Sequence, residues 1–170
     1  MDRQLESFDS VMCHVSTKTK QEAILETVEN CPIFSSLPDK DKFIKAVLRR
    51  EEIETTGIGH GIAVAHGKVK NLSHILVGLG ISETGIDYEA KDGQPVHFLF
   101  VIASSPSRQL EYIKTISNIL RTLRDEDVRK ELLSIKQNCT LDQIQSQECQ
   151  SLLRMLLTQH FAWIWKHHNL

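Results

Sequence analysis

The chain has 170 residues, 41% of them hydrophobic and 25% charged, enough material for one globular domain to bury a core without metals or disulfides. A formal net charge of -2 argues against nucleic-acid binding through a broad basic face. No stretch approaches the roughly 20 apolar residues of a membrane span. The first ten residues, MDRQLESFDS, lack the apolar core of a secretory signal, so the expectation is a cytoplasmic protein with no membrane insertion.

In chain order, VMCHV within Phe8 to Ser16 is rich in β-formers and predicts a short strand. Thr19 and Glu22 have the spacing of a capping box. Ala23, Ile24, Val28 and Cys31 then recur at helical spacing, which predicts a helix to about Asn30. Pro32 to Pro38 reads as a loop. Asp39 and Asp41 suit the positive end of a second helix, whose apolar face is Phe43, Ile44, Val47 and Leu48 and which runs into Arg49, Arg50, Glu51 and Glu52. His74 to Ile81 predicts a strand, and Gly85 to Gly93 a turn-rich excursion. Val96 to Ala103 is nearly continuous apolar β-former, the pattern of a central strand buried on both faces.

Ser105 as N-cap and Pro106 at the first helical position open a further helix, with Leu110, Ile113, Ile116, Ser117, Leu120 and Leu123 as its buried stripe. Asp125 caps a shorter helix through Leu133, and Thr140 with Gln143 opens another. Helices interleave with strands, and several connections are too short for parallel crossovers. The predicted architecture is therefore α/β: one domain with a mixed β-sheet flanked by helices. The segment 151–170, SLLRMLLTQHFAWIWKHHNL, is apolar and aromatic enough for an appended helix. Cys13, Cys31, Cys139 and Cys149 form no CxxC and read as reduced thiols, not as zinc ligands.

Half of the eight glycines fall between Thr56 and Lys68, TGIGHGIAVAHGK, around two histidines. A dinucleotide fingerprint requires a strand before the glycines and a helix after them, and here the order is reversed. A Walker A loop requires Ser or Thr after Gly67-Lys68, where the chain has Val69. What remains is His66 at the end of a short strand, with glycine beside it and glycines upstream. Two readings are open. In one, the glycines serve turns and His66 closes a strand. In the other, small residues uncover an imidazole for a large partner, and main-chain amides receive an anion. Arg50 likewise reads either as a solvated helix-end charge or as a group that forks onto anionic oxygens.

The run Arg50-Glu51-Glu52-Ile53-Glu54-Thr55-Thr56-Gly57-Ile58-Gly59-His60-Gly61-Ile62-Ala63-Val64-Ala65-His66-Gly67-Lys68 closely resembles the active-site signature of one family. That family is the fructose/mannitol-type IIA component of the bacterial phosphoenolpyruvate-dependent phosphotransferase system, with the approximate pattern R-E-x-x-x-S-T-G-I-G-x-G-I-A-I-P-H-G-K. Val96 to Ala103 and ISNILRTLRDEDVRKELL resemble its central strand, following helix and "LRDEE" turn. The likeness covers roughly Leu5 to Cys149, which sets a family domain at 5–150 and leaves 151–170 as a tail.

The resemblance implies that His66 accepts a phosphoryl group from the histidine phosphocarrier protein HPr, with Arg50 beside it. It implies Gly59, His60, Gly61 and Tyr112 around the phosphoryl group, and no metal or other cofactor, because the donor is already an activated phosphohistidine. Departures from the pattern are Ala65 where the family carries Pro, and His60 where Asn is common; His60 either touches the phosphoryl group or faces water. Tyr112 stands where many sugar-transferring members place a second histidine. A hydroxyl donates a hydrogen bond but carries no positive charge. That replacement, and the absence of a fused IIB or IIC segment, favour a regulator of the nitrogen-branch kind that binds a target protein. The alternative is a sugar-specific component that passes the group to a IIB domain.

Overall fold

The computed structural model describes residues 12–127, 129, 130 and 133. The described chain falls into two compact units, one ending at Ser107 and the other beginning at Arg108. The first contains strands β1 (Met12–His14), β2 (Gly57–Gly59), β3 (Ile62–Lys68), β4 (Leu76–Ile86) and β5 (Val96–Ser104), with helices α1 (Lys20–Asn30) and α2 (Lys40–Ile53). The five strands form one sheet in the order β1-β4-β5-β3-β2. β1 runs parallel to β4 and β3 parallel to β5, while β4 is antiparallel to β5 and β2 to β3. The mixed sheet with flanking helices is the architecture that the interleaved sequence pattern predicts.

The helix starts follow their local chemistry. The Thr19 hydroxyl accepts from the Glu22 amide at 3.4 Å, and the Asp39 carboxylate accepts from the Lys42 amide at 3.0 Å, so each satisfies one orphan donor of a first turn. Ala23, Ile24 and Val28 of α1 and Phe43, Ile44 and Val47 of α2 are buried, and join Ala63, Ala65, Leu99, Val101 and Ala103 of the sheet in one apolar cluster. On the opposite face of β3 and β5, Ile62, Val64, Phe98, Phe100 and Ile102 are also buried. β5 is thus covered on both faces, as its unbroken apolar run requires.

Several local expectations are corrected. The Pro32 to Pro38 segment is not simply loop: Pro32–Ser36 form a 3-10 turn that buries Phe34. β4 extends through Ile86, five residues beyond the predicted end, with irregular pairing to β5 after Ile81. Gly57–Gly59 form a strand where only a turn was expected. Cys13 and Cys31, 18 positions apart, are both buried with their sulfurs 3.0 Å apart, and the contact with Cys13 and burial push the Cys31 thiol up.

In the second unit, α3 spans Gln109–Leu123. Pro106 opens a short 3-10 turn instead of the α-helix, with the Ser105 hydroxyl accepting from the Ser107 amide at 3.4 Å. The buried stripe of α3 is Tyr112, Thr115, Ile119 and Leu123, while Leu110, Ile113 and Ser117 are exposed. A list of apolar residues misplaced this face because its true members include a tyrosine and a threonine. The Asp125 carboxylate accepts from the Asp127 amide at 2.9 Å, as a cap should. The predicted helix from Thr140 and the segment 151–170 lie outside the described residues.

Position 67 sets the distance between α2 and β3. A Cβ there would lie 3.0 Å from Val47 Cγ2 and 3.1 Å from Phe43 Cε2, tighter than ordinary packing. Gly67→Val is expected to destabilise the fold by about 1–3 kcal/mol through overpacking. Urea unfolding of the variant against the wild-type chain measures this.

Candidate functional site

Gly67 presents its bare face to α2, so by strand alternation the neighbouring His66 projects from the other side of β3. Pairing with β2 is limited to Ile62 and Ala63, extended by one bond from the Val64 amide to the Thr56 carbonyl at 3.1 Å. The His66–Lys68 end of β3 therefore forms a margin of the sheet, while its other edge stays in register with Ile102–Ser104 of β5. His66 is half-buried there.

Its Nδ1 lies 3.3 Å from the Val64 carbonyl oxygen. A carbonyl can only accept, so Nδ1 carries the proton in this bond, and the neutral ring has its lone pair on Nε2. Burial holds the imidazole pKa below its ordinary value. The Val64 bond works in the opposite direction, Arg50 and Lys68 lower it further, and Glu51 raises it. The ring is thus uncharged at neutral pH and sits in a field to which two cations contribute. That combination suits a nucleophile meeting an anionic group.

Arg50 lies in the last turn of α2, half-buried, with Nη1 donating to the Glu54 carbonyl at 3.1 Å. That bond satisfies a helix-end acceptor and fixes one arm of the guanidinium. Lys68, two residues beyond His66 on the same face of β3, is exposed with Nζ 3.5 Å from Ser104 Oγ. The sequence reading gave Lys68 no role. Its (i, i+2) relation to the histidine on a strand was the signal that placed it there.

The glycine turn is not part of this cluster. Gly59, His60 and Gly61 have φ of 104°, 56° and 76°, and the two-residue loop His60-Gly61 has the positive dihedrals of a type I′ hairpin turn. The turn joins β2 to β3 at the end of β3 opposite His66. Five residue steps of extended strand lead from Gly61 to His66, about 16 Å at ~3.3 Å per step. His60 is exposed, and its amide donates to Asp92 Oδ2 at 3.2 Å. The structure therefore sets Gly59, His60 and Gly61 away from the imidazole, while Arg50 stands in the last turn of α2 and its charge acts on His66. The glycines answer to backbone geometry there, and to helix packing at Gly67. Tyr112 is buried on α3 in the second unit.

Behind Arg50 lies a polar cluster that sequence reasoning missed. Glu51, Lys20 and Thr56 are each less than one-tenth exposed, and Tyr88 is fully buried. Glu51 Oε1 accepts from the hydroxyls of Thr56 and of Tyr88, the latter at 2.9 Å. Glu51 Oε2 accepts from the Thr56 amide at 3.2 Å and pairs with Lys20 Nζ at 3.5 Å. Lys20 also lies 5.2 Å from the centroid of the Tyr88 ring. Burial, with the charge of Glu51, pushes the Tyr88 hydroxyl far above its usual range, so it remains a donor. Among the described residues, no group of three His, Cys, Asp or Glu side chains is arranged to hold a metal ion.

Comparison with known proteins gives the class first. The structure matches that of nitrogen regulatory protein IIA-Ntr from Neisseria meningitidis with a TM-score of 0.72, over 92% of this chain and all of that one, at 18% identity. At that identity the match speaks for the fold. Sequence gives the family: the model described as "Phosphoenolpyruvate-dependent sugar phosphotransferase system, EIIA 2" matches residues 5–147, and the chain belongs to this family. The match crosses the boundary between the two units, which are thus parts of one family domain.

The fructose-specific EIIABC component of Bacillus subtilis is 33% identical over 73% of this chain, which spans only 20% of that protein. The nitrogen regulatory protein of Bradyrhizobium diazoefficiens is 28% identical over 73% of this chain and 80% of its own length. Among the described residues, no helix is long and apolar enough to cross a membrane.

The electrostatics of His66 are directly measurable. Its midpoint in an NMR pH titration is expected below the ordinary value of 6.5. Arg50→Gln and Lys68→Met should each move it upward, because each removes a charge that disfavours the imidazolium.

Proposed function

We propose that this IIA-type protein takes a phosphoryl group from phosphorylated HPr onto His66 Nε2. The observation that carries the reading is the bond from His66 Nδ1 to the Val64 carbonyl, which leaves the attacking lone pair on Nε2. In the transfer, a bond forms between Nε2 and phosphorus as the N–P bond of the donor phosphohistidine breaks. The donor imidazole keeps the departing electron pair, and the Nδ1 proton of His66 stays at the Val64 carbonyl. Such a transition state is loose, so the protein's work is positioning and charge balance. The guanidinium of Arg50 supplies a planar pair of donors for phosphoryl oxygens. Tyr112 supplies a hydroxyl in place of a second imidazole, and the acting unit is the domain 5–150 in the cytoplasm.

The phosphorylated and unphosphorylated forms then act as two states of a regulator that binds a target protein. A phosphoryl group adds negative charge and strong acceptor oxygens to the sheet margin, enough to change what docks there. The tyrosine at position 112 supports this role, because it brings no positive charge for onward transfer. A sugar-specific role, with the group passed to a IIB domain, is the second reading. It is favoured by the 33% identity to the fructose-specific relative.

Phosphorylated HPr should label the protein in an acid-labile, base-stable form. His66→Ala should abolish that label, and its persistence would refute the assignment. Arg50→Ala should slow labelling by ~10²-fold in a chain that stays folded, the scale of losing one pre-organised donor. The labelling rate should be level around pH 7 and fall in acid, below the ordinary histidine range, as Nε2 becomes protonated. Onward transfer to a IIB domain in a reconstituted mixture would decide for the second reading.

A further inference from the structure

We propose that Glu51 is the positioning residue for His66, acting through Thr56 and the Val64 backbone to fix which ring nitrogen holds the proton. The significance for transfer rests on His66 being the acceptor; the geometry stands without it.

The connection is traceable atom by atom. Glu51 Oε2 accepts from the Thr56 amide at 3.2 Å, and Oε1 accepts from the Thr56 hydroxyl. The Thr56 carbonyl accepts from the Val64 amide at 3.1 Å. The Val64 carbonyl accepts from His66 Nδ1 at 3.3 Å. Each step passes to a different peptide unit, so the chain transmits position and not polarisation. Thr56 lies where the chain leaves α2 and enters β2, bonded across to Val64 of β3, and Glu51 fixes it from within the helix that also carries Arg50. One carboxylate thereby sets the register of the strand margin against the helix end that carries Arg50.

Glu51 is suited to this by its own surroundings. Tyr88 and Lys20 supply the remaining donors, at 2.9 and 3.5 Å, so both oxygens are engaged and the carboxylate has one orientation. Lys20 has a second carboxylate, Glu89, at 3.6 Å, but that side chain is mostly exposed. A buried, fully engaged carboxylate behind a reacting imidazole acts on it as outer-shell partners act on metal-bound histidines, holding ring orientation and tautomer. Here the carboxylate acts through two intervening residues, Thr56 and Val64, by way of main chain. Among the described residues, charged groups acting on the ring include Arg50 and Glu51 of α2 and Lys68 of β3.

The test uses the full chain with ¹⁵N-labelled histidine. In the wild-type protein the neutral His66 ring should show a pyrrole-type Nδ1 and a pyridine-type Nε2. In Glu51→Gln the amide cannot accept all of these donors, and the ring should become a mixture of tautomers. Its titration midpoint should fall, since Glu51 favours the charged ring, and labelling by phosphorylated HPr should slow about tenfold or more. If that variant does not fold, Lys20→Met/Glu51→Gln removes both buried charges together and is read in the same way, with backbone amide spectra confirming the fold. An unchanged tautomer in a folded variant overturns the proposal, even where His66 is labelled normally. A shifted tautomer in a chain that takes no phosphoryl group supports it, and then only the acceptor reading fails. A brace that merely stabilised the fold would lower the unfolding midpoint without moving the ring nitrogens.

Discussion

The close approach of α2 to β3 is the constraint from which the rest of the site follows. The helix rests on the strand where Gly67 has no side chain, in contact range of Phe43 and Val47. A helix so seated ends beside the strand margin, with Arg50 in its last turn acting on His66. Packing of this kind is stiff, because side chains in a dense core have few alternative arrangements. The residue next to the histidine is thus a glycine for the helix on one face, and that helix delivers the charge to the histidine on the other.

Two environments meet at this margin. On its inner side is a buried network in which Glu51, Lys20, Thr56 and Tyr88 satisfy one another. Burying a charge is costly unless its partners are complete, and here both carboxylate oxygens are engaged. On its outer side is a half-buried imidazole whose basicity is reduced by burial and by neighbouring cations. The inner network supplies rigidity and the outer ring supplies chemistry. Arg50 and Glu51 are adjacent in sequence yet serve opposite sides, which a helix permits because consecutive residues point about 100° apart.

Membership of the IIA family defines the scaffold, and two departures from the family pattern lie on β3 and in the hairpin before it. Ala65 in place of the family's Pro is fully buried within β3, paired with Val101 of β5. It restores an amide to the strand at that position. His60 replaces the more usual Asn in a turn that requires positive φ, a conformation histidine tolerates better than most residues. It remains exposed on the hairpin.

What the sequence by itself determined is local. Thr19 marks a helix start because a side-chain oxygen three residues before an orphan amide closes a cap, and Asp39 marks one as a negative charge at a positive helix end. Val96 to Ala103 reads as a doubly covered strand because no polar residue interrupts it after His97. His66 and Arg50 were singled out by the length of the signature that contains them. Tertiary structure alone decided the rest. It placed the glycine turn at the far end of β3, because side-by-side letters become about 16 Å when the chain is extended. It set the buried face of α3 on Tyr112 and Thr115, since hydrophobicity ranks residues without knowing which stripe is covered. It brought Tyr88 to Glu51 across 37 positions and Cys31 to Cys13 across 18. Contacts between distant segments depend on how strands order themselves in the sheet, and that order comes from packing all the elements together, which no local pattern encodes.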